Sequence, residues 1–123
     1  MARLLKFPKG FYWGASTSAH QVEGGNKNDW TEWEKKNAKR LAEEAKHHWQ
    51  LWQLELFPEA LNPKNYISGL ATDHYNRFEE DFDIAKTLSH NAHKFSIEWS
   101  RIEPEEGRFD KKEIEHYRTV ISE

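Results

Sequence analysis

Three side chains that could do chemistry, a cation, a hydroxyl and a carboxylate, occupy alternate positions in segment 91–104. Side chains along an extended strand point alternately to its two faces, so Lys94, Ser96 and Glu98 share one face of a predicted strand. The opposite face is apolar and carries Phe95, Ile97 and Trp99. Polar groups on a buried strand need partners or a polar cavity, which makes the end of this strand a candidate site. A buried ion pair between Lys94 and Glu98 is an equally good explanation of the spacing.

A second candidate site follows the first predicted strand, in segment 18–24. The carboxamide of Gln21 both donates and accepts hydrogen bonds, so it could pair with two neighbouring hydroxyls of a sugar. The alternative is that Gln21 satisfies backbone groups of its own loop, since most side-chain hydrogen bonds go to backbone or water. His20 could border the same pocket, although a hydrogen bond within the loop is the simpler role for it.

Strands and helices must position these segments. Apolar and turn patterns predict a strand at about 11–17, a loop at 18–28, a helix at 29 to about 52 that is continuous or broken, a loop at 61–69, a helix from about 73, a strand at 92–100 and a helix after 110. Asp29 and Asp110 are predicted helix caps because each precedes a glutamate three positions later. Strands that alternate with helices imply parallel pairing and helices on both faces of the sheet, so the predicted class is α/β.

We expect one group of side chains to be buried and another to be exposed. Six tryptophans in a leucine-poor chain are predicted to pack inward, four on the helical segment and two on the strands: Trp30, Trp33, Trp49, Trp52, Trp13 and Trp99. Glutamate is rarely buried without a partner, so the loop carboxylates are expected on the solvated surface: Glu23, Glu103, Glu105 and Glu106.

Composition excludes several classes of function. The chain has 123 residues and a formal net charge of −3, which leaves no basic stripe for nucleic acid. It has no run of about 18 apolar residues that would cross a membrane. Cysteine is absent, and the seven histidines lack the spacing typical of metal ligands, so no disulfide, metal or other cofactor is predicted. We expect a soluble, cytoplasmic protein.

Two motifs resemble glycoside hydrolase family 1, the family of retaining β-glucosidases and β-galactosidases. The first is Trp13-Gly14-Ala15-Ser16-Thr17-Ser18-Ala19-His20-Gln21-Val22-Glu23-Gly24. The second is His93-Lys94-Phe95-Ser96-Ile97, where family members usually have Tyr-Arg-Phe-Ser-Ile. The resemblance implies that residues 1–123 are the N-terminal part of a single barrel domain. They would supply the first two βα units of a (β/α)8 TIM barrel, incomplete in this chain because a whole barrel needs roughly 200 residues or more, with a helical insertion at about 29–65.

The resemblance also implies an activity and roles for individual residues. The family hydrolyses terminal β-linked glucosides or galactosides with retention. Its glutamine at the position of Gln21 binds hydroxyls of the terminal sugar, and its arginine at the position of Lys94 orients the nucleophile. Lysine keeps the charge of arginine but lacks the planar guanidinium.

The resemblance places the catalytic groups outside this chain. The two family glutamates lie in Asn-Glu-Pro and Glu-Asn-Gly motifs, and neither tripeptide occurs here, so the isolated chain is expected to be inactive. The implied partners are a β-glucoside or β-galactoside and the remainder of the barrel, in the same or another chain. Two alternatives are an inactive carbohydrate-binding or assembly module completed by another chain, and a fragment with little stable fold.

Overall fold

A computed structural model describes residues 6–123. In it the chain forms short strands joined by helices. The elements are β1 (Gly14–Ser16), α1 (Ala19–Val22), α2 (Asp29–His48), α3 (Leu51–Leu56), α4 (His74–Thr87), β2 (Ala92–Lys94), α5 (Trp99–Ile102) and α6 (Lys111–Ser122). Two 3₁₀ helices, Pro58–Leu61 and Pro63–Tyr66, join α3 to α4. The single turn α1 lies where a loop was predicted, and the predicted helix at 29–52 is broken between α2 and α3.

The two strands pair in parallel, as the sequence pattern predicted. Gly14 lies opposite Ala92 and Ser16 opposite Lys94. A β-carbon at Gly14 would overlap the carbonyl oxygen of Ala92, so only glycine lets the strands approach this closely. Asn91 fixes the strand entry, because its Oδ1 accepts from the amide of Trp13 at 2.7 Å.

Helices α4 and α6 cover one face of this sheet. His93 of β2 points towards this helical layer, where its ring centroid lies 5.3 Å from that of Phe82. Phe78 of α4 is buried in the same layer, as are Tyr117 and Val120 of α6. Ala92 and Lys94, which point the opposite way from His93, are exposed. Within residues 6–123 the predicted covering of both faces is therefore wrong for β2.

The predicted strand at 92–100 is too long. Pairing ends at Lys94, because β1 ends at Ser16 and the chain then turns into α1. Glu98 instead caps α5 by accepting a hydrogen bond from the amide of Ser100, so Trp99 is the first helical residue rather than a strand residue.

Helix α2 buries alanines rather than tryptophans. Ala38, Ala42 and Ala45 recur at helical spacing and form the buried side of the helix, which packs against the 3₁₀ helices at 58–61 and 63–66. Small side chains let these segments approach closely. The predicted inward packing of all six tryptophans is wrong, since each is 39–61% exposed: Trp13, Trp30, Trp33, Trp49, Trp52 and Trp99. No helix in the described part of the chain is long and apolar enough to span a membrane.

Candidate functional site

The segments that follow β1 and β2 lie side by side at the carboxyl ends of the strands. The amide of Thr17 donates to the carbonyl oxygen of Lys94 at 2.9 Å, which extends the strand contact by one residue. The amide of Ala19 then donates to the hydroxyl oxygen of Ser96 at 2.8 Å. Ser96 therefore anchors the start of α1, the turn that carries both candidate residues of segment 18–24.

Gln21 lies on α1 with its side chain exposed. Its backbone amide donates to the carbonyl oxygen of Ser18 at 2.9 Å, as the first turn of a helix requires. Its carboxamide makes no hydrogen bond to any group in residues 6–123. The alternative that Gln21 satisfies its own loop is therefore not what the described residues show.

His20 is held by hydrogen bonds to the insertion and to the residues that flank it. Its Nε2 lies 2.9 Å from Glu34 Oε1 and 3.2 Å from the Ser68 hydroxyl, while its Nδ1 lies 3.3 Å from Asn28 Nδ2. It lines a cleft of about 330 Å³ together with segments 24–27 and 67–69. Partial burial raises the pKa of Glu34, but hydrogen bonds from Ser68 and His20 outweigh it and leave that pKa below its ordinary value.

Lys94 and Glu98 do not pair. Glu98 is 7% exposed, and its carboxylate accepts from Asn28 Nδ2 and from the Ser100 hydroxyl, both at 2.8 Å. Lys94 is exposed at the end of β2 and forms no ion pair with any described carboxylate. The ion-pair interpretation of their spacing is wrong, because the chain leaves the strand conformation between them.

A buried ion pair that the sequence did not reveal lies below α1. Glu23 is only 4% exposed, so its predicted place on the solvated surface is wrong. The hydroxyl of Tyr117 donates to the Glu23 carboxylate, with oxygen–oxygen distances of 2.8 and 2.9 Å, and Arg101 Nε donates at 3.2 Å. Burial raises the pKa of Glu23 above its ordinary value, and the bonds from Tyr117 and Arg101 oppose that rise. The partners lie 94 and 78 positions away, beyond the reach of any local pattern.

The carboxylates of this site already have hydrogen-bond partners. Its buried and half-buried carboxylates are each committed to hydrogen bonds within the described chain: Glu23, Glu34 and Glu98. No three histidine, aspartate or glutamate side chains among residues 6–123 are placed to hold a metal ion. Among residues 6–123, the exposed carboxamide of Gln21 and the exposed ammonium group of Lys94 form no side-chain hydrogen bond, and groups of these kinds suit hydroxyl and carboxylate partners respectively.

Comparisons with known proteins give one consistent family. The sequence model described as glycosyl hydrolase family 1 matches residues 4–123. Beta-glucosidase A of Thermotoga maritima is 36% identical over 118 residues, which cover 94% of this chain and 23% of that protein. Beta-glucosidase 44 of Arabidopsis thaliana is 34% identical over 94% of this chain and 20% of its own length.

Solved structures of β-glycosidases also superpose on this chain. A β-glycosidase from Pyrococcus horikoshii superposes with a TM-score of 0.69 at 34% identity, covering 96% of this chain and 22% of that one. The Thermotoga maritima β-glucosidase in complex with deoxynojirimycin superposes with a TM-score of 0.68 at 28% identity, over 97% of this chain and 24% of its own. The chain thus spans less than a quarter of the length of these relatives.

Proposed function

Because the chain belongs to glycosyl hydrolase family 1, we propose that it forms the N-terminal part of a β-glycosidase that hydrolyses terminal β-linked glucosides or galactosides with retention. The fold is part of a (β/α)8 barrel, as in its structural relatives. In our proposal β1 with α4 and β2 with α6 form the first two βα units, and the segment at about 29–65 is an insertion after the first strand.

One observation carries the proposal: the exposed carboxamide of Gln21 stands free at the carboxyl end of β1. Barrel enzymes build their sites at this end of the strands. An amide that donates and accepts can bind two adjacent sugar hydroxyls, each of which also donates and accepts. His20, held by Glu34 and Ser68, would border this pocket rather than bind the sugar.

The chemical step would depend on groups outside the 123 residues. Retaining hydrolysis needs two carboxyl groups about 5–5.5 Å apart on opposite sides of the glycosidic bond. Glu23, Glu34 and Glu98 are tied to other side chains and do not form such a pair. We therefore assign both catalytic carboxylates to further polypeptide, in the same or another chain.

Lys94 would act beside that polypeptide. Its side chain leaves the sheet on the face opposite His93 and α4, and that face is exposed in the described chain. A barrel that closes around this face would bring Lys94 near the nucleophile. The ammonium charge would favour the ionised carboxylate, as a nearby cation does in general.

Complementation tests the proposal. We define the complementing fragment as the part of Thermotoga maritima beta-glucosidase A that follows the region matched by this chain. The isolated chain should not hydrolyse an aryl β-glucoside, whereas the chain mixed with the complementing fragment should. Turnover by the isolated chain would contradict our assignment of the catalytic groups, and an assembled but inactive mixture would favour a binding or assembly module.

A matched pair of variants tests Gln21 in that mixture. Gln21→Ala should lower kcat/KM by about 100-fold, the effect of losing paired hydrogen bonds worth about 3 kcal/mol in the transition state. Gln53→Ala is the control, because Gln53 lies far along the insertion, where its side chain accepts from the amide of Gln50 at the start of α3. Equal kcat/KM for the two variants would remove Gln21 from the sugar site.

A further inference from the structure

The ion pair between Glu23 and Arg101 lies at the end of α1, the turn that carries Gln21, and this position points to a role in the candidate sugar site. We propose that Glu23, Arg101 and Tyr117, which we call the anchor cluster, hold Gln21 in its binding orientation, so that Arg101 and Tyr117 are positioning residues for the sugar site. This inference rests on the proposed function of Gln21. None of the three residues needs to touch the sugar.

The hydrogen bonds of the anchor cluster converge on the end of α1. The amide of Glu23 donates to the carbonyl oxygen of Ala19 at 2.9 Å and so closes the turn that contains Gln21. Arg101 Nη2 donates to the Gly24 carbonyl oxygen at 2.6 Å and to Asn26 Oδ1 at 3.0 Å. Asn26 Nδ2 in turn donates to the same Ala19 carbonyl oxygen at 3.0 Å. These bonds fix the backbone of Ala19, Glu23 and Gly24, each within three residues of Gln21.

The frame that supplies these bonds is built from three other helices. Tyr117 lies on α6 and is 3% exposed, and Arg101 lies on α5. The guanidinium of Arg101 also sits 4.1 Å from the ring centroid of Tyr75 on α4, where a cation–π contact holds its plane. A four-residue turn has no stability of its own, so this frame must supply it.

Tyr117 has a second bond that ties the two strand ends together. Its hydroxyl oxygen accepts from the amide of Glu98 at 3.1 Å while its proton goes to Glu23. Glu98 follows β2 and Glu23 follows β1. One phenol thus links both segments that form the candidate site, and removing it would leave a buried amide and a buried carboxylate short of partners.

Amide hydrogen exchange of the 123-residue chain tests this role. In Tyr117→Phe and in Arg101→Met, the amides of Val22 and Glu23 should exchange about 10-fold faster or more, since local opening of the turn would then cost less. The side-chain amide resonances of Gln21 should broaden or shift. Tyr66→Phe is the matched control, because it removes a phenol that donates to the Ala60 carbonyl oxygen within the insertion.

Two results would overturn the proposal. One is unchanged exchange at Val22 and Glu23 in both variants. The other is an equal acceleration throughout α2, α4 and α6, which would mean that the anchor cluster supports only global stability. Gln21→Ala makes the two failures distinguishable, because it should leave the turn protected. A complemented enzyme unaffected by Gln21→Ala would contradict the sugar role of Gln21, whereas the exchange rates of Val22 and Glu23 decide separately whether the anchor cluster holds the turn.

Discussion

Gly24 is a residue at which the site loop tolerates no side chain. Its φ is +81°, and a β-carbon there would overlap the carbonyl oxygen of Leu70. Gly24→Ala should therefore lower the free energy of unfolding by more than about 2 kcal/mol, from left-handed strain plus the collision. Urea unfolding measures this loss. Gly25→Ala is the control, since Gly25 has φ +65° but open space around its β-carbon, and it should cost about 1 kcal/mol. Equal losses would show that the contact with Leu70 is unimportant.

Two half-buried histidines should make stability depend on pH. Burial lowers the pKa of His93, with help from nearby His74 and His90, and burial also lowers the pKa of His116. In the unfolded chain these groups take up protons near pH 6.5, whereas the folded state resists protonation until lower pH. The stability they contribute is therefore present above pH 6.5 and is lost as the pH falls towards their lowered pKa values.

The urea midpoint measured from pH 7.5 down to 5.5 checks this sign. A double variant, His93→Gln with His116→Gln, should flatten the decline, and the exposed His47→Gln should not. Glu23 acts in the opposite direction, because its raised pKa makes the fold take up a proton more readily as the pH falls. The double variant leaves that contribution in place, so the difference between the two curves belongs to the histidines. Parallel curves would contradict the assignment.

At this scale the family motif singled out Gln21, and its role in binding sugar stays a prediction. Residue type alone favoured a loop hydrogen bond for it, which the described residues do not show. Glu23, two positions later, looked like an ordinary loop carboxylate, because its burial depends on Arg101 and Tyr117. Pairing between distant segments decides burial, and no local pattern encodes it.

Among the elements, the start of α2 gives the clearest test. The sequence pattern predicted Asp29 as the cap, but Asn28 is the cap and accepts from the amide of Thr31. Asn28 also donates to Glu98 at 2.8 Å and so joins α2 to the segment after β2. Asn28→Ala should cost about 2 kcal/mol, the sum of a cap and a buried hydrogen bond, whereas Asp29→Ala should cost about 0.5 kcal/mol from the helix dipole alone. Thermal unfolding of both variants compares them, and a larger loss for Asp29→Ala would restore the sequence-based cap.

Element prediction succeeded where a local rule acts alone. The carboxylate of Asp110 does cap α6, accepting from the amides of Lys112 and Glu113. The strand at 92–100 failed because alternation continues past Lys94 although pairing does not. Beyond Lys94, the hydroxyl of Ser96 accepts from the amide of Ala19 and the carboxylate of Glu98 accepts from the amide of Ser100. Periodicity thus predicted a shared face for Lys94, Ser96 and Glu98 that does not form, because the neighbouring segment decides where the strand ends.

For the whole molecule, the accessible surface is larger than a closed globule would have. The chain exposes 9996 Å². A compact monomer of its 14.7 kDa mass would expose about 7,000 Å². The excess includes all six tryptophans, whose inward packing was expected from their hydrophobicity alone. Hydrophobicity indicates that a ring should be covered, but it does not indicate that the cover comes from the same 123 residues.

This excess surface predicts the behaviour of the isolated chain and of its assembly. Alone, the chain should bind a hydrophobic dye and emit tryptophan fluorescence at long wavelength, because contiguous apolar surface stays in water. Addition of the complementing fragment should release the dye and shift the emission to shorter wavelength as exposed tryptophans become covered. Gln21→Ala should assemble equally well while lowering activity, which separates closure of the barrel from binding of the sugar. A chain that binds no dye and shows no spectral change with the complementing fragment would be a self-sufficient globule, and the barrel-completion proposal would then be wrong.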